Sequence, residues 1–167
     1  NNLGETLYVY TGDKLRAFAE KEKTLSARLA KNKMKAGDLL PSFLAVWFWS
    51  GTLIEGVNEN NNVIMDGSPR TILEAMMVDD AMEFYSRSNV IPIFLDTSEE
   101  WSTQRLLDRG RDDDSLKSIK ERLEFFEKDV IPVIGYYSGK SRHKLTRING
   151  EHSVEEVHRE ILEKVFK

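Results

Sequence analysis

Val63-Ile64-Met65-Asp66-Gly67-Ser68-Pro69-Arg70-Thr71 decides how this chain is read, because an apolar run stops abruptly at an acid, a glycine, a proline and an arginine. The run reads as a buried strand, and residues 66–71 as the loop at the strand's carboxyl end. Open α/β proteins hold their ligands there, in the loops that leave the strands. Gly67 lets the backbone approach a ligand closely and Pro69 fixes the exit direction. Asp66 and Arg70 then bring a carboxylate and a guanidinium to one edge of a sheet. The bland alternative is an ordinary strand-to-helix turn whose arginine pairs with a surface acid.

Outward from that loop, strands and helices alternate. Leu7 to Tyr10 reads as a short strand, Thr11-Gly12-Asp13 as a turn of helix-capping residue types, and Lys14 onward as a helix. Leu25, Leu29 and Ala30 recur at helical spacing among lysines and arginines, which predicts a surface helix with one apolar face. After Pro41 a helix runs to about Glu55; it is apolar on most sides and is expected to be buried. Val63 to Met65 comes next as a central strand, then a helix from about Ile72 to Ser86 and a strand from Val90 to Asp96 in which Pro92 is discordant. Helices are expected over 98–108, 115–137 and 153–166, with a strand over 144–148. This order predicts a parallel sheet flanked by helices, a three-layer α/β/α fold, in one domain spanning residues 1–167. Trp47, Phe48, Trp49, Trp101, Phe125 and Phe126 are expected in the core, the Tyr136 and Tyr137 hydroxyls at the surface, and His143, His152 and His158 on the surface or in loops.

Composition narrows the function classes. The 167 residues are 40% hydrophobic, enough for one core, and include no cysteine, so neither a disulfide nor a thiolate site is available and a reducing cytoplasm fits. The longest apolar stretch, Phe43 to Trp49, is far short of the roughly 20 residues needed to span a bilayer. A net charge of −4 argues against general affinity for nucleic-acid backbones. The expectation is a soluble protein with neither a membrane nor a nucleic acid as partner, in which any anionic ligand is held by a local group of arginines.

Such a group is present. Arg105 and Arg109 lie four apart on one helical face, and Arg111, Asp113 and Arg122 come after a break. Like charges at that spacing destabilise a helix unless an anion lies between them, and a polyphosphate is an anion of the right kind. Guanidinium binds phosphate oxygens bidentately and keeps its charge. A solvated charged face cross-linked by Asp112 to Asp114 is the competing reading.

With these segments in view, and with Thr11-Gly12-Asp13-Lys14-Leu15-Arg16, Gly37-Asp38-Leu39-Leu40-Pro41, Ile134 to Ser138 and Ile148-Asn149-Gly150 in order, the chain resembles the adenylate kinases and related nucleoside monophosphate kinases from about Tyr8 to its end. The resemblance implies transfer of a phosphoryl group from Mg·ATP to a nucleoside monophosphate, AMP first, by a monomeric enzyme. It implies an acceptor-binding helical insertion at 12–56, where Thr11, Gly12, Arg16, Leu39 and Leu40 line the pocket, Gly67 backs the base and Arg16 and Arg70 grip the phosphate. Arg105 would flank the ATP adenine, with Gly150 and His152 touching it. Arg109, Arg111 and Arg122 would stabilise the moving phosphoryl group, Asp113 would orient them, and Asp13 and Asp66 would hold magnesium through its waters. No zinc is implied, since the lid at 109–114 is minimal.

Two departures from the family pattern bear on function. The family carries a strand, a glycine-rich phosphate loop ending in lysine and a helix ahead of the Thr-Gly-Asp turn, whereas ten residues precede Thr11 and no G-x-x-x-x-G-K occurs in this sequence. The expectation is that an N-terminal segment, cut away or supplied separately, carries them; a non-catalytic nucleotide-binding or scaffold module that has lost the loop is the alternative. Glu74 stands where the family has a glutamine that reads adenine. A carboxylate only accepts hydrogen bonds, which suits guanine or cytosine better and keeps a GMP or CMP kinase in view.

Overall fold

The computed structural model describes residues 4–21, 23–36, 38, 40–110 and 114–166. Four strands lie in two parallel pairs. β1 (Thr6–Tyr10) runs beside β2 (Asn62–Asp66) with Tyr10 opposite Asp66, and β3 (Ile93–Asp96) beside β4 (Thr146–Asn149) with Asp96 opposite Asn149. The parallel α/β class is as the alternation of elements requires, since strands running the same way need helical crossovers. Among the described residues the pairs form separate sheets, and Ile64, Ile93 and Leu95 are exposed. β3 is shorter than the apolar run around it because Pro92 has no N–H to give a ladder; its carbonyl instead accepts from Thr146 N–H at 2.8 Å, just ahead of the strand.

The helices are α1 (Thr11–Lys21), α2 (Leu25–Ala36), α3 (Ser42–Gly56), α4 (Ile72–Phe84), α5 (Glu99–Arg109), α6 (Leu116–Phe125), α7 (Ile131–Gly139) and α8 (Val154–Val165). Thr11-Gly12-Asp13 is not a separate turn: β1 passes directly into α1 at Thr11. The long helix expected from Ser115 to Tyr137 is α6 and α7 joined by a π-helical turn, Phe126–Val130, where Ile131 N–H reaches back to Phe126 O. Pro132 follows it after one intervening residue. It cannot donate to an i−4 carbonyl, and the wider turn takes up the mismatch. Ser98, Ser115 and Ser153 cap α5, α6 and α8, each hydroxyl accepting from the N–H three residues on.

α3 faces two cores at once. Val46, Trp49 and Leu53 pack with Val9, Val78 and Met82 beneath β1 and β2, while Leu44 packs with Ala30 and Leu40 in a smaller cluster that also touches Leu15, Phe18, Met34 and Phe48. The second cluster gives α1, α2 and the start of α3 a core of their own. α3 is therefore not buried all round, as its composition suggests. Phe43 and Ile54 are exposed, and Trp47 is 59% exposed, lying edge-on to Phe48 at 4.7 Å rather than in the core. His143 lies in a loop as expected and is buried there, accepting from Arg142 Nε at 3.2 Å. One further sequence expectation is corrected: the Tyr137 hydroxyl turns inward to the Ala75 carbonyl at 3.4 Å, while the half-buried Tyr136 donates to Asp79 at 2.8 Å.

The two faces of α3 make a test of this packing. Leu53 is 1% exposed and its neighbour Ile54 is 74% exposed. Leu53→Ala is expected to lower unfolding free energy by about 2–5 kcal/mol and Ile54→Ala by about 0.5 kcal/mol or less, read by urea denaturation. Equal losses at the two positions would contradict the orientation of α3.

Candidate active site

The carboxyl ends of β1 and β2 carry the loop that runs from Asp66 to Thr71. Gly67 has φ +78°, a backbone state that side chains disfavour, and a Cβ there would stand 3.4 Å from Arg70 Nη2. Arg70 Nε donates to the Gly67 carbonyl at 2.8 Å, so the arginine folds over its own turn. Thr11, buried at the start of α1, stands 3.1 Å from Ser68, hydroxyl to hydroxyl, and ties that helix to the same turn. Gly12 comes next, its would-be Cβ 3.3 Å from the Tyr10 ring.

Arg70 is exposed, yet desolvation by the protein around its guanidinium, together with the like charge of Arg122, draws its pKa below the ordinary arginine value; Glu74, Tyr10 and Asp66 act in the opposite sense. Tyr10 connects this to Arg16, whose Nη2 donates to the Tyr10 hydroxyl at 3.1 Å and also pairs with Asp13. Asp66 accepts from the Tyr8 hydroxyl at 2.7 Å, and that bond is the main reason the phenol is held above its usual pKa. Asp13 acts on Tyr8 as well. Of the two carboxylates expected to serve magnesium, Asp66 bonds Tyr8 and Asp13 bonds Arg16, and hard oxygen donors of this kind fit an ion bound through its waters. Among the described residues no three His, Asp or Glu side chains gather into a metal-holding group.

On the other side, Asp114 organises the arginines. Its side chain is 0% exposed, and it takes Arg109 bidentately, Nε to Oδ2 at 2.9 Å and Nη2 to Oδ1 at 2.7 Å, while Arg122 Nη1 reaches Oδ1 at 2.7 Å. The family resemblance implies an orienting role for Asp113; Asp113, Arg111 and Leu39 lie outside the described residues, and Asp114 holds both described arginines. Asp114 and Tyr10 are the site residues that the sequence does not single out. Tyr10 shares a strand face with Tyr8 two residues away, and Asp114 immediately precedes the α6 cap, so the available signals are period-two spacing and a helix start. Arg16 is joined to Tyr10 and Arg122 through Asp114 to Arg109, and the charges of Tyr10 and Arg122 both act on Arg70.

Arg105 lies one helical turn before Arg109, its guanidinium 5.3 Å from the centre of the Trp101 ring. Leu40 is buried in the small cluster beneath α1 and α2. At the ends of β3 and β4 an open groove of about 530 Å³ is lined by Asp96, Thr97, Ser98, Arg147, Asn149 and Glu151. Gly150 sits against it, where a Cβ would come within 2.7 Å of the Thr97 methyl, and its N–H donates to Asp96 O at 2.9 Å. His152 is exposed beyond it.

Glu74 is placed differently from the other acceptor residues. It is 1% exposed, its Oε2 accepting Arg70 N–H at 3.1 Å, so its carboxylate turns onto its own loop. Burial pushes its pKa up, while the Arg70 N–H and charge and the hydroxyls of Thr71 and Ser42 pull it down.

A parallel α/β fold that carries Arg16 and Arg70 just beyond the ends of β1 and β2, and Arg109 and Arg122 on one buried carboxylate, is of the class that handles phosphorylated ligands. The adenylate kinase family model matches residues 4–142. An adenylate kinase of Azobacteroides pseudotrichonymphae is 36% identical over 161 residues, 94% of this chain and 82% of that protein. Adenylate kinase 1 of Nostoc sp. is 34% identical over 154 residues, 92% and 82% respectively, and a uridylate kinase of Saccharomyces cerevisiae 31% over 161 residues, 93% and 76%. The chain belongs to the adenylate kinase family of nucleoside monophosphate kinases. No described helix is long and apolar enough to cross a membrane.

Asp114→Ala removes the shared anchor and leaves two guanidinium groups facing each other. A loss of about 1–3 kcal/mol in unfolding free energy is expected, below the value for a fully buried pair because both arginines touch solvent. Urea denaturation reads it, and a loss under about 0.5 kcal/mol contradicts the anchoring role.

Proposed function

We propose that this enzyme transfers the terminal phosphoryl group of Mg·ATP to AMP, giving two molecules of ADP, as a cytoplasmic monomer. The observation that carries the reading is the pairing of Arg109 and Arg122 on the buried Asp114, with Arg70 on the loop after β2 subject to the charge of Arg122 and Arg16 bonded to Tyr10 at the end of β1. In the reaction an oxygen of the acceptor phosphate forms a bond to the γ-phosphorus as the bond to the bridging oxygen of ATP breaks. The protein supplies position and positive charge rather than a covalent partner. Arg16 and Arg70 hold the acceptor phosphate, Arg109 and Arg122, with Arg111, neutralise the equatorial oxygens of the moving group, and Arg105 flanks the ATP base near Gly150 and His152. Asp13 and Asp66 would hold a magnesium ion through its waters, and the ion would supply positive charge to the donor phosphates.

The choice of AMP rests on Glu74. The case for GMP or CMP requires its carboxylate to face the base, and the carboxylate faces the Arg70 loop instead. Two of the similar proteins are adenylate kinases and one a uridylate kinase, which supports the acceptor class more broadly than the base. The residues 12–56 are proposed as the acceptor-binding insertion, a role their separate small core supports, and 109–114 as the lid.

A coupled assay of the full-length protein with Mg·ATP and each of AMP, GMP, CMP and UMP tests this. AMP is expected to give the highest kcat/KM; a preference for GMP or CMP overturns the base assignment. Arg70→Ala is expected to lower turnover at least a hundredfold, because the acceptor phosphate loses its alignment. Activity within about twofold of the unaltered enzyme removes Arg70 from the site.

A further inference from the structure

Glu74 is a buried acid to which the phosphoryl-transfer chemistry gives no part. It occupies the first turn of α4, three residues after the capping Thr71, and its surroundings come from separate segments of the chain. The Arg70 N–H donates to Oε2 at 3.1 Å, and the Thr71 hydroxyl stands 3.5 Å from Oε1. The Ser42 hydroxyl, on the first residue of α3, lies 2.9 Å from the Thr71 hydroxyl and so joins the carboxylate's surroundings through Thr71. Thr71 in turn accepts the Glu74 N–H at 3.2 Å. Each of these groups around the carboxylate is a donor or can act as one. That suits an acceptor-only side chain at a helix N-terminus, where negative charge is favoured.

The consequence concerns Arg70. Its backbone is fixed by Glu74 and its side chain by the Gly67 carbonyl, so the phosphate-gripping residue is held at both ends. Ser42 brings the start of α3 into the same network, and α3 carries part of the small core under the proposed acceptor insertion. We propose that Glu74 is a positioning residue that locks the Arg70 loop to α3 and so sets the grip on the phosphate of any nucleoside monophosphate, whatever its base. This rests on the kinase reading. A glutamine would set its N–H₂ group against one of these donors, and an alanine would leave the Arg70 N–H without its acceptor and release the Thr71 hydroxyl from the carboxylate.

The test uses the full-length protein and its Glu74→Gln, Glu74→Ala and Ser42→Ala variants, assayed with Mg·ATP and AMP, GMP, CMP or UMP. KM for every acceptor is expected to rise by a common factor of about ten in the Glu74 variants, the scale of one hydrogen bond to a charged group, and by less in Ser42→Ala. The order of preference among the four bases and the KM for ATP are expected to stay unchanged. A variant that was merely poorly folded would lose kcat at constant acceptor KM, and that outcome overturns the inference. So does a reordering of the bases, which would make Glu74 a base-reading residue, and so does an unchanged acceptor KM. An unaltered enzyme that phosphorylates none of the four overturns the kinase reading itself, whereas an active one with reordered variants overturns the role of Glu74 alone.

Discussion

Guanidinium groups repel one another, and this fold nevertheless assembles several of them at the carboxyl ends of its strands. Buried carboxylates make that arrangement possible. Asp114 takes two arginines on one side chain, one from the end of α5 and one from α6, and so fixes both across the break between those helices. Glu74 fixes a third through its backbone. Without such anchors long cationic side chains would spread into solvent, where each gains rotameric freedom and its charge is screened. An incoming polyphosphate then meets charge that is already placed, and little reorganisation is left for the moment of reaction.

The same logic explains why the site is built on element ends rather than within elements. Arg70 and Glu74 flank the cap of α4, Arg109 closes α5, Asp114 precedes the cap of α6, and Thr11 and Ser42 open α1 and α3. Helix ends carry unsatisfied backbone groups that must find partners, so side chains gather there for structural reasons and become available for binding. The two hydroxyl pairs, Thr11 with Ser68 and Ser42 with Thr71, join α1 and α3 to a single loop. Movement of those helices is thereby tied to the position of Arg70.

Much of the fold is legible in the residues, and the failures have physical causes. Hydrophobic periodicity and punctuation set out the order of strands and helices, and the Asp66 to Thr71 loop stands out because its residue types are unusual together. What periodicity does not report is which side of an apolar helix is left uncovered, so it assigns Trp47 to the core although that side chain meets solvent. Partners distant in the chain are equally hidden. Nothing near Glu74 in sequence indicates that Ser42, on another helix, meets the Thr71 hydroxyl beside its carboxylate. Nor does an acidic run mark Asp114 as a side chain that is buried and takes two arginines.

Phosphoryl transfer by this protein requires guanidinium groups from separate segments to share one cleft around two nucleotides. A crystal structure of the full-length protein with a bound dinucleotide polyphosphate long enough to span donor and acceptor positions tests this directly. Arg16, Arg70, Arg109 and Arg122 are each expected to place a nitrogen about 3 Å from a phosphate oxygen of that one molecule. Arginines that leave the phosphates to solvent, or a ligand held elsewhere on the surface, would contradict it.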